Sequence, residues 1–357
     1  MSSVLLAASR DWPAAGRLPS MLGAAGLEVD LIDPGGTHAA ASSWVREHIV
    51  ATGSVPEIAA CVAERAQGHD RVIVCDEELL RSLCDSVDSR VDAILPAPRE
   101  NLRDLMDKIR FTAAVSAAGL RVPEWRAADS PDELAEAVGA LGLPVFVKGR
   151  SGWGGRTVRE VGDVDAAVKA ARRFGFPVLI ERRVRGQLAM MPCLFDRGNL
   201  VAAFAARKKE TIRRFGPSSL NVLWEVNDGL RRAAELVGSR FGLSGFISLD
   251  LFCQPDNDEP VIIEANPRPV AQLLQGCRVG ADMGRALRDV MSGDFDGQPR
   301  LSRDGGPVAL FPNELERLRA RHGNVGGTLR WLKRPGTFAD VPWNDPGLLR
   351  HILRGLR

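Results

Sequence analysis

Residues 246–252, a polar loop at 254–260 and residues 261–269 place two acids and an amide where they could do chemistry. The runs FISLDLF and VIIEANPRP are apolar and are joined by QPDNDEP, which predicts an antiparallel hairpin whose side chains alternate between faces. Glu264 and Asn266 then share a face, and Asp250, 14 residues before Glu264, can stand beside them on the neighbouring strand. Two carboxylates and an amide oxygen converging in this way form a hard-oxygen site suited to Mg²⁺, above all when phosphate oxygens complete the shell. A solvated sheet face with its acids in water has the same spacing.

Three further stretches carry candidate groups. VFVKGRSGWGGRT, 145–157, is a strand running into a glycine-rich loop, in which Ser151, Gly152, Gly154 and Gly155 would let backbone N–H groups approach phosphates and Lys148 would add a point charge. The P-loop spacing GxxxxGK[ST] is absent, and a plain glycine turn reads the same way. VLIERRVRG, 178–186, is an apolar strand ending in Glu181, followed by extended backbone that could offer donors and acceptors to an adenine edge. The basic run RKKETIRR, 207–214, follows a strand; it is either a solvated loop or, through Lys208 and Arg213, a clamp for phosphate and carboxylate.

Alternating strands and helices must position these groups. Over 1–98, strands at 4–8, 29–32 and 72–75 alternate with helices at 13–26 and 55–67, which implies a parallel sheet in a Rossmann-like domain. The turn SRDWPAAG after the first strand lacks GxGxxG, so no dinucleotide is expected there. After a proline-punctuated linker at 95–99, region 99–180 reads as a helix at 101–118, strands at 121–126, 144–148 and 177–181, and helices at 131–141 and 163–174. Region 181–295 reads as strands near 190–195 and 199–206, a helix at 226–241, the hairpin and a helix at 281–292. The remainder, 296–357, reads as a helical, arginine-rich extension.

With 357 residues, 45% of them hydrophobic, the chain is long enough for two or three domains, and neither a small staple-dependent fold nor wholesale disorder fits. The balance of 47 basic against 45 acidic residues provides no global field for nucleic acid or an anionic membrane. No apolar run reaches the roughly 18 residues of a membrane helix, and the opening MSSVLLAASRDWPAAG has no basic segment before its apolar stretch, so it is expected to be the first strand of a cytoplasmic protein. The six cysteines show no zinc spacing. Lysine is scarce, six against 41 arginines, so each lysine is informative.

In their order, a lysine at a helix start (Met106-Asp107-Lys108), a lysine with a glycine loop, a hinge strand and then Asp…Glu-x-Asn, these features resemble the ATP-grasp superfamily over about 100–292. Within it the chain looks most like carboxylate–amine ligases of the carbamoyl-phosphate-synthase-like type. The resemblance implies an α/β and α+β architecture: an ATP-grasp fold preceded by a Rossmann-like domain and followed by the extension. It implies ATP and two Mg²⁺ ions as cofactors. Lys108 and Lys148 would contact ATP phosphates, 151–155 would form a lid, and Glu181 with the backbone of Val184 would read adenine. Asp250, Glu264 and Asn266 would bind the metal, Arg268 would sit by the γ-phosphate or the acyl phosphate, and Lys208 and Arg213 would clamp the γ-phosphate and the substrate carboxylate. Gln187 stands where members usually carry an acid for the ribose, and its amide can still bond a hydroxyl. The implied activity joins a small-molecule carboxylic acid to an amine through an acyl phosphate, releasing ADP, in a possible homodimer. The rivals are a small-molecule kinase, a carboxylase and a nucleotide-binding protein with decayed catalysis.

Overall fold

A computed structural model describes residues 2–356 except Pro13, Trp153, Phe215, Pro255 and Asp256. Trp153 of the glycine-rich loop and two residues of the hairpin turn thus lie outside the described residues. The first sheet pairs β1 (Ser3–Ala7), β2 (Glu28–Asp33), β3 (Val45–Val50) and β4 (Arg71–Val74) in parallel, in the order β3-β2-β1-β4. β1 is apolar on both faces because α1 (Leu18–Ala24) covers one and α2 (Val55–Arg65) with α3 (Glu77–Asp85) covers the other. The helix expected at 13–26 is shorter: a 3₁₀ turn at Ala15–Arg17 leads into α1, with Pro19 in the first turn, where its missing N–H is tolerated.

A single helix expected at 101–118 is two, α4 (Arg99–Leu105) and α5 (Lys108–Ala117). Asp107 breaks them: its backbone is extended, and its side chain caps α5 by accepting from Ile109 N (3.0 Å) and Arg110 N (3.2 Å). The inner side of α5 buries Phe111 and Val115, and Phe111 stacks on Phe241 with ring centroids 5.9 Å apart. Truncating Phe111 to alanine would cost about 3–5 kcal/mol.

The second sheet is antiparallel, in the order β5-β8-β6-β7, from β5 (Trp125–Ala128), β6 (Val145–Gly149), β7 (Val158–Val161) and β8 (Val178–Arg182). β5 starts four residues after the expected 121, beyond Pro123, which has no N–H for a ladder. Val145, Val147, Val178 and Ile180 pack against α6 (Pro131–Leu141) and α7 (Val164–Phe174). The two-residue period turns Lys148 and Glu181 to the opposite face.

The third sheet runs β14-β13-β9-β11-β12-β16, with β10 beside β9 and β15. Its strands are β9 (Gln187–Asp196), β10 (Asn199–Ala203), β11 (Ala205–Thr211), β12 (Ser218–Trp224), β13 (Gly245–Gln254), β14 (Asn257–Asn266), β15 (Arg300–Leu301) and β16 (Pro307–Ala309). The strand expected at 199–206 divides at Phe204, because β9 pairs with β10 along one half and β11 along the other. Helix α8 (Asp228–Phe241) packs on one face, and α9 (Met283–Ser292) joins α1 on the other.

The extension is less uniformly helical than expected. It opens with β15 and β16, and β16 completes the sheet by covering the free edge of β12. α10 (Asn313–His322), α11 (Asn324–Leu332) and α12 (Pro346–Gly355) follow. A seam joins this extension to the first sheet. Asp345, wholly buried, caps α12 by accepting from Leu348 N (3.2 Å), and it also accepts from Ser43 N (2.8 Å) and the Ser42 hydroxyl. Among the described residues no helix is long and apolar enough to cross a membrane.

Candidate functional site

The hairpin β13–β14 sets Asp250 directly across from Glu264 and Ser248 across from Asn266, all on the face that looks away from α8. Three lysines gather over it. Lys108, the first residue of α5, places Nζ 3.1 Å from Glu264 Oε1 and donates to Gly152 O (2.9 Å). Lys208, on β11, donates to Asp250 Oδ1 (3.0 Å). Burial would raise the pKa of Glu264, but Lys108, Lys148 and Lys208 together outweigh it and hold the carboxyl below its usual range.

The third lysine comes from the second sheet. Lys148 Nζ lies 2.6 Å from Glu181 Oε2, both side chains being buried, while Glu181 Oε1 has no hydrogen-bond partner. The glycine-rich loop leaves the same strand with Gly152, Gly154 and Gly155 at φ of +129°, +59° and +73°. A Cβ on Gly152 would meet Thr157 Oγ1 at 2.4 Å, so the loop cannot take a side chain there without moving. Its ends are tied down: Arg150 pairs with Asp107, Lys108 N donates to Arg150 O (3.0 Å), and the Thr157 hydroxyl donates to Ser151 O (2.9 Å). From the loop between β11 and β12, Arg213 Nη2 donates to Gly154 O (3.0 Å). The basic run is therefore not simply solvated.

Arg268 is buried against Trp12, its guanidinium carbon 4.6 Å from the ring centroid. It donates to Asn266 Oδ1 and Pro269 O, both at 3.3 Å, and among the described residues no carboxylate lies within ion-pair distance of it. Burial lowers its pKa, with Glu77, Glu264, Asp250 and Asp76 opposing. A guanidinium has five N–H donors, so this one keeps donors free for a planar anion. Val184 is half-buried between β8 and β9, and Gln187 is exposed at the start of β9, opposite Cys253.

Two residues escaped the sequence reading. Trp12, from the turn after β1, packs between Arg268 and Arg10, and nothing in the sequence links positions so far apart. Asn221 lies opposite Lys208 on β12, fully buried, with neither amide atom partnered in the protein. A strand at 218–224 would have exposed it, but its proline- and serine-rich approach reads as a loop. Thiol chemistry does not fit the site: burial pushes the Cys253 thiol up to about 11 and raises Cys75 and Cys193 further.

Asp250 and Glu264 are two acids, and among the described residues no three His, Cys, Asp or Glu side chains gather as a metal-holding group. The donor set still fits a hard divalent cation, since each carboxylate already holds one cationic ammonium on the shared face.

Residues 113–271 match the family model described as ATP-grasp domain. The chain carries an ATP-grasp domain. The chain aligns with the C-terminal section of the carbamoyl phosphate synthase large chain of Methanopyrus kandleri, 26% identical over 240 residues, which cover 58% of this chain and 43% of that one. It also aligns with the D-alanine–D-alanine ligase of Methylococcus capsulatus, 30% identical over 179 residues, 46% of this chain and 56% of the ligase. The chain thus spans about half the length of the curated relatives it matches. An ADP complex of an N5-carboxyaminoimidazole ribonucleotide synthetase shares the fold, with a TM-score of 0.68, 18% identity, and 90% of this chain and 85% of that one covered.

Proposed function

We propose that this ATP-grasp protein is an ATP-dependent carboxylate–amine ligase that forms an acyl phosphate and releases ADP and phosphate. The observation that carries the reading is the meeting of three lysine–carboxylate pairs with a buried, uncountered Arg268. Such a site holds and neutralises phosphate and needs no protein nucleophile.

Glu181 Oε1, buried without a partner, would accept from the adenine amino group, with the backbone near Val184 beside it. Lys148 and Lys108 would hold phosphate oxygens, and the loop of Ser151, Gly152, Gly154 and Gly155 would close over them, pulled by Arg213. Asp250, Glu264 and Asn266 would hold Mg²⁺, which when bound neutralises the terminal phosphate oxygens. Lys208 would orient the γ-phosphoryl group. Arg268 would keep the substrate carboxylate in line with the phosphorus and then hold the acyl phosphate until an amine attacks its carbonyl carbon and phosphate leaves. Exposed Gln187 would meet the ribose from solvent. We assign the parallel first sheet to a Rossmann-like pre-ATP-grasp domain, and the substrates to small acids and amines in a cytoplasmic enzyme that pairs as a homodimer, which light scattering would test. A second reading, favoured by the likeness to a synthetase named for a carboxyamino product, has bicarbonate as the acid.

The test incubates protein, ATP and Mg²⁺ with pooled acids and amines, and resolves nucleotides and products by chromatography and mass. ADP with an amide supports the ligase, whereas ADP with a carbamate supports the second reading. AMP formation overturns the acyl-phosphate mechanism, and ADP with a phosphorylated substrate and no amide would assign a kinase.

A further inference from the structure

Charge is unevenly shared along the chain. Residues 296–357 carry eleven basic and six acidic side chains, a net +5, while residues 1–295 carry −3. Much of this excess meets at one place. α10 and α11 enclose a hollow of about 440 Å³ lined by Arg317, Arg321, His322, Arg330, Lys333 and Arg334. The buried carboxylate of Glu314 takes up Arg317 and Arg334. Among the described residues no carboxylate lies within ion-pair distance of Arg321, Arg330 or Lys333. Burial lowers the pKa of His322, and the neighbouring Arg330, Arg321 and Arg317 lower it further.

The same helix presents apolar surface to water. Val325, Leu329 and Leu332 are 76%, 55% and 47% exposed. Their spacing of four and three residues puts them in one stripe along α11, since an α-helix turns about 100° per residue. Lys333 and Arg330 follow on one flank of that stripe, at about 40–100° from Leu329, while Gly327 and Trp331 face the core. A second hollow, of about 530 Å³, lies at the end of the stripe, where Leu332 and exposed Phe338 meet Arg334 and Arg278. Exposed leucines occur singly on many surfaces, but a helical stripe between two basic hollows is a contiguous, shaped patch.

We propose that this face of the extension docks an acidic amphipathic helix of a partner protein. The partner's apolar side would lie along Val325, Leu329 and Leu332, and its carboxylates would reach Arg321, Arg330 and Lys333. Helix-in-groove recognition uses anchors at this spacing, and unmatched rim cations speed encounter and select an acidic partner. A second copy of this chain is a poor occupant, because a two-fold contact through the stripe would set the same cations against themselves. A phosphate backbone would satisfy the cations but leave the stripe in water.

The test uses the full chain and a fluorescent helical peptide of about 18 residues, five turns, with leucines along one face and glutamates on its flanks. Fluorescence polarisation should show saturable binding that weakens as salt rises from 50 to 300 mM, as exposed ion pairs are screened. A scrambled peptide of equal composition should bind about tenfold more weakly, because its leucines no longer share a face. The triple variant R321Q/R330Q/K333Q should weaken binding about ten- to a hundredfold, the effect of several rim charges together, and L329S should do so with the charges intact. Unchanged unfolding midpoints verify that the variants fold, and R330Q alone serves if the triple variant does not. Equal binding of the scrambled peptide, or no loss in either variant, overturns the proposal. A dimer seen by light scattering that L329S dissolves would make a second copy the occupant and overturn it too.

Discussion

Two regions of this molecule gather positive charge, and they differ in whether it is matched. Over the hairpin, Lys108, Lys148 and Lys208 each meet a carboxylate at 3.1 Å or less, on side chains mostly withdrawn from water. In the extension, Arg321, Arg330 and Lys333 stand in solvent around an apolar stripe. A cation can be sunk in a low-dielectric place only if paired, since an isolated buried charge costs several kcal/mol. The first arrangement is therefore held as matched pairs, while the second can wait unpaired because water solvates it. The same residue types thus make a paired, withdrawn cluster in one place and an outward-facing surface in the other.

The comparison breaks first, if it is wrong, at the hairpin. E264Q and D250N should each lower turnover about 10²–10³-fold, the range seen when one transition-state electrostatic contact is removed, with little change in unfolding midpoint. Steady-state rates at limiting Mg²⁺ check this, and near-parental rates in either variant would remove the metal assignment. K148A probes matching itself. It strands Glu181 as a buried acid and should cost about 3–5 kcal/mol in denaturant titration, with K148A/E181A recovering part of the loss. If K148A is neutral, the buried pair is not what holds the second sheet's inner face.

Much of the candidate site's cluster was legible in the sequence, because the residues that make it are local. Hairpin periodicity alone puts Asp250, Glu264 and Asn266 on one face, and the scarcity of lysine singles out Lys108, Lys148 and Lys208. What was not legible depends on distant pairing. Trp12 reaches Arg268 only after the first sheet packs against the third, and Asn221 becomes a buried polar residue only once β12 is paired on both sides. The break at Asp107 hid within a continuous helical pattern, since an aspartate can cap one helix as readily as sit within another. The extension reads as arginine-rich and helical, but β16 has three residues and pairs with the edge that β12 offers.

A smaller effect sharpens the contrast through pH. Glu264 titrates below its usual 4.5, so its contribution to stability is complete above that value and is lost as pH falls through the folded value. Asp340, in the extension, is pushed above its usual 3.8 by burial, against the pull of Arg17, so its cost is present at neutral pH and is relieved on acidification. Thermal unfolding between pH 6 and about pH 3 should therefore show a shallower acid loss for E264Q and a steeper one for D340N. Equal slopes in both variants would mean that neither environment differs from water. The smallest effect belongs to the solvated cations: R330E should shift stability by no more than about 0.5 kcal/mol, as exposed substitutions do. A larger loss in chemical denaturation would show that Arg330 is matched after all.

Asp345 gives the fold a history as well as a seam. Its carboxylate meets Ser42 and Ser43 across 303 and 302 positions of chain, so the flank of the first sheet cannot close when that sheet is synthesised. While the intervening residues leave the ribosome, the backbone around Ser42 and Ser43 must rely on water or on a chaperone. That seam thus waits on the synthesis of Asp345, and a pause or cleavage anywhere before it leaves the Ser42–Ser43 segment without its carboxylate partner.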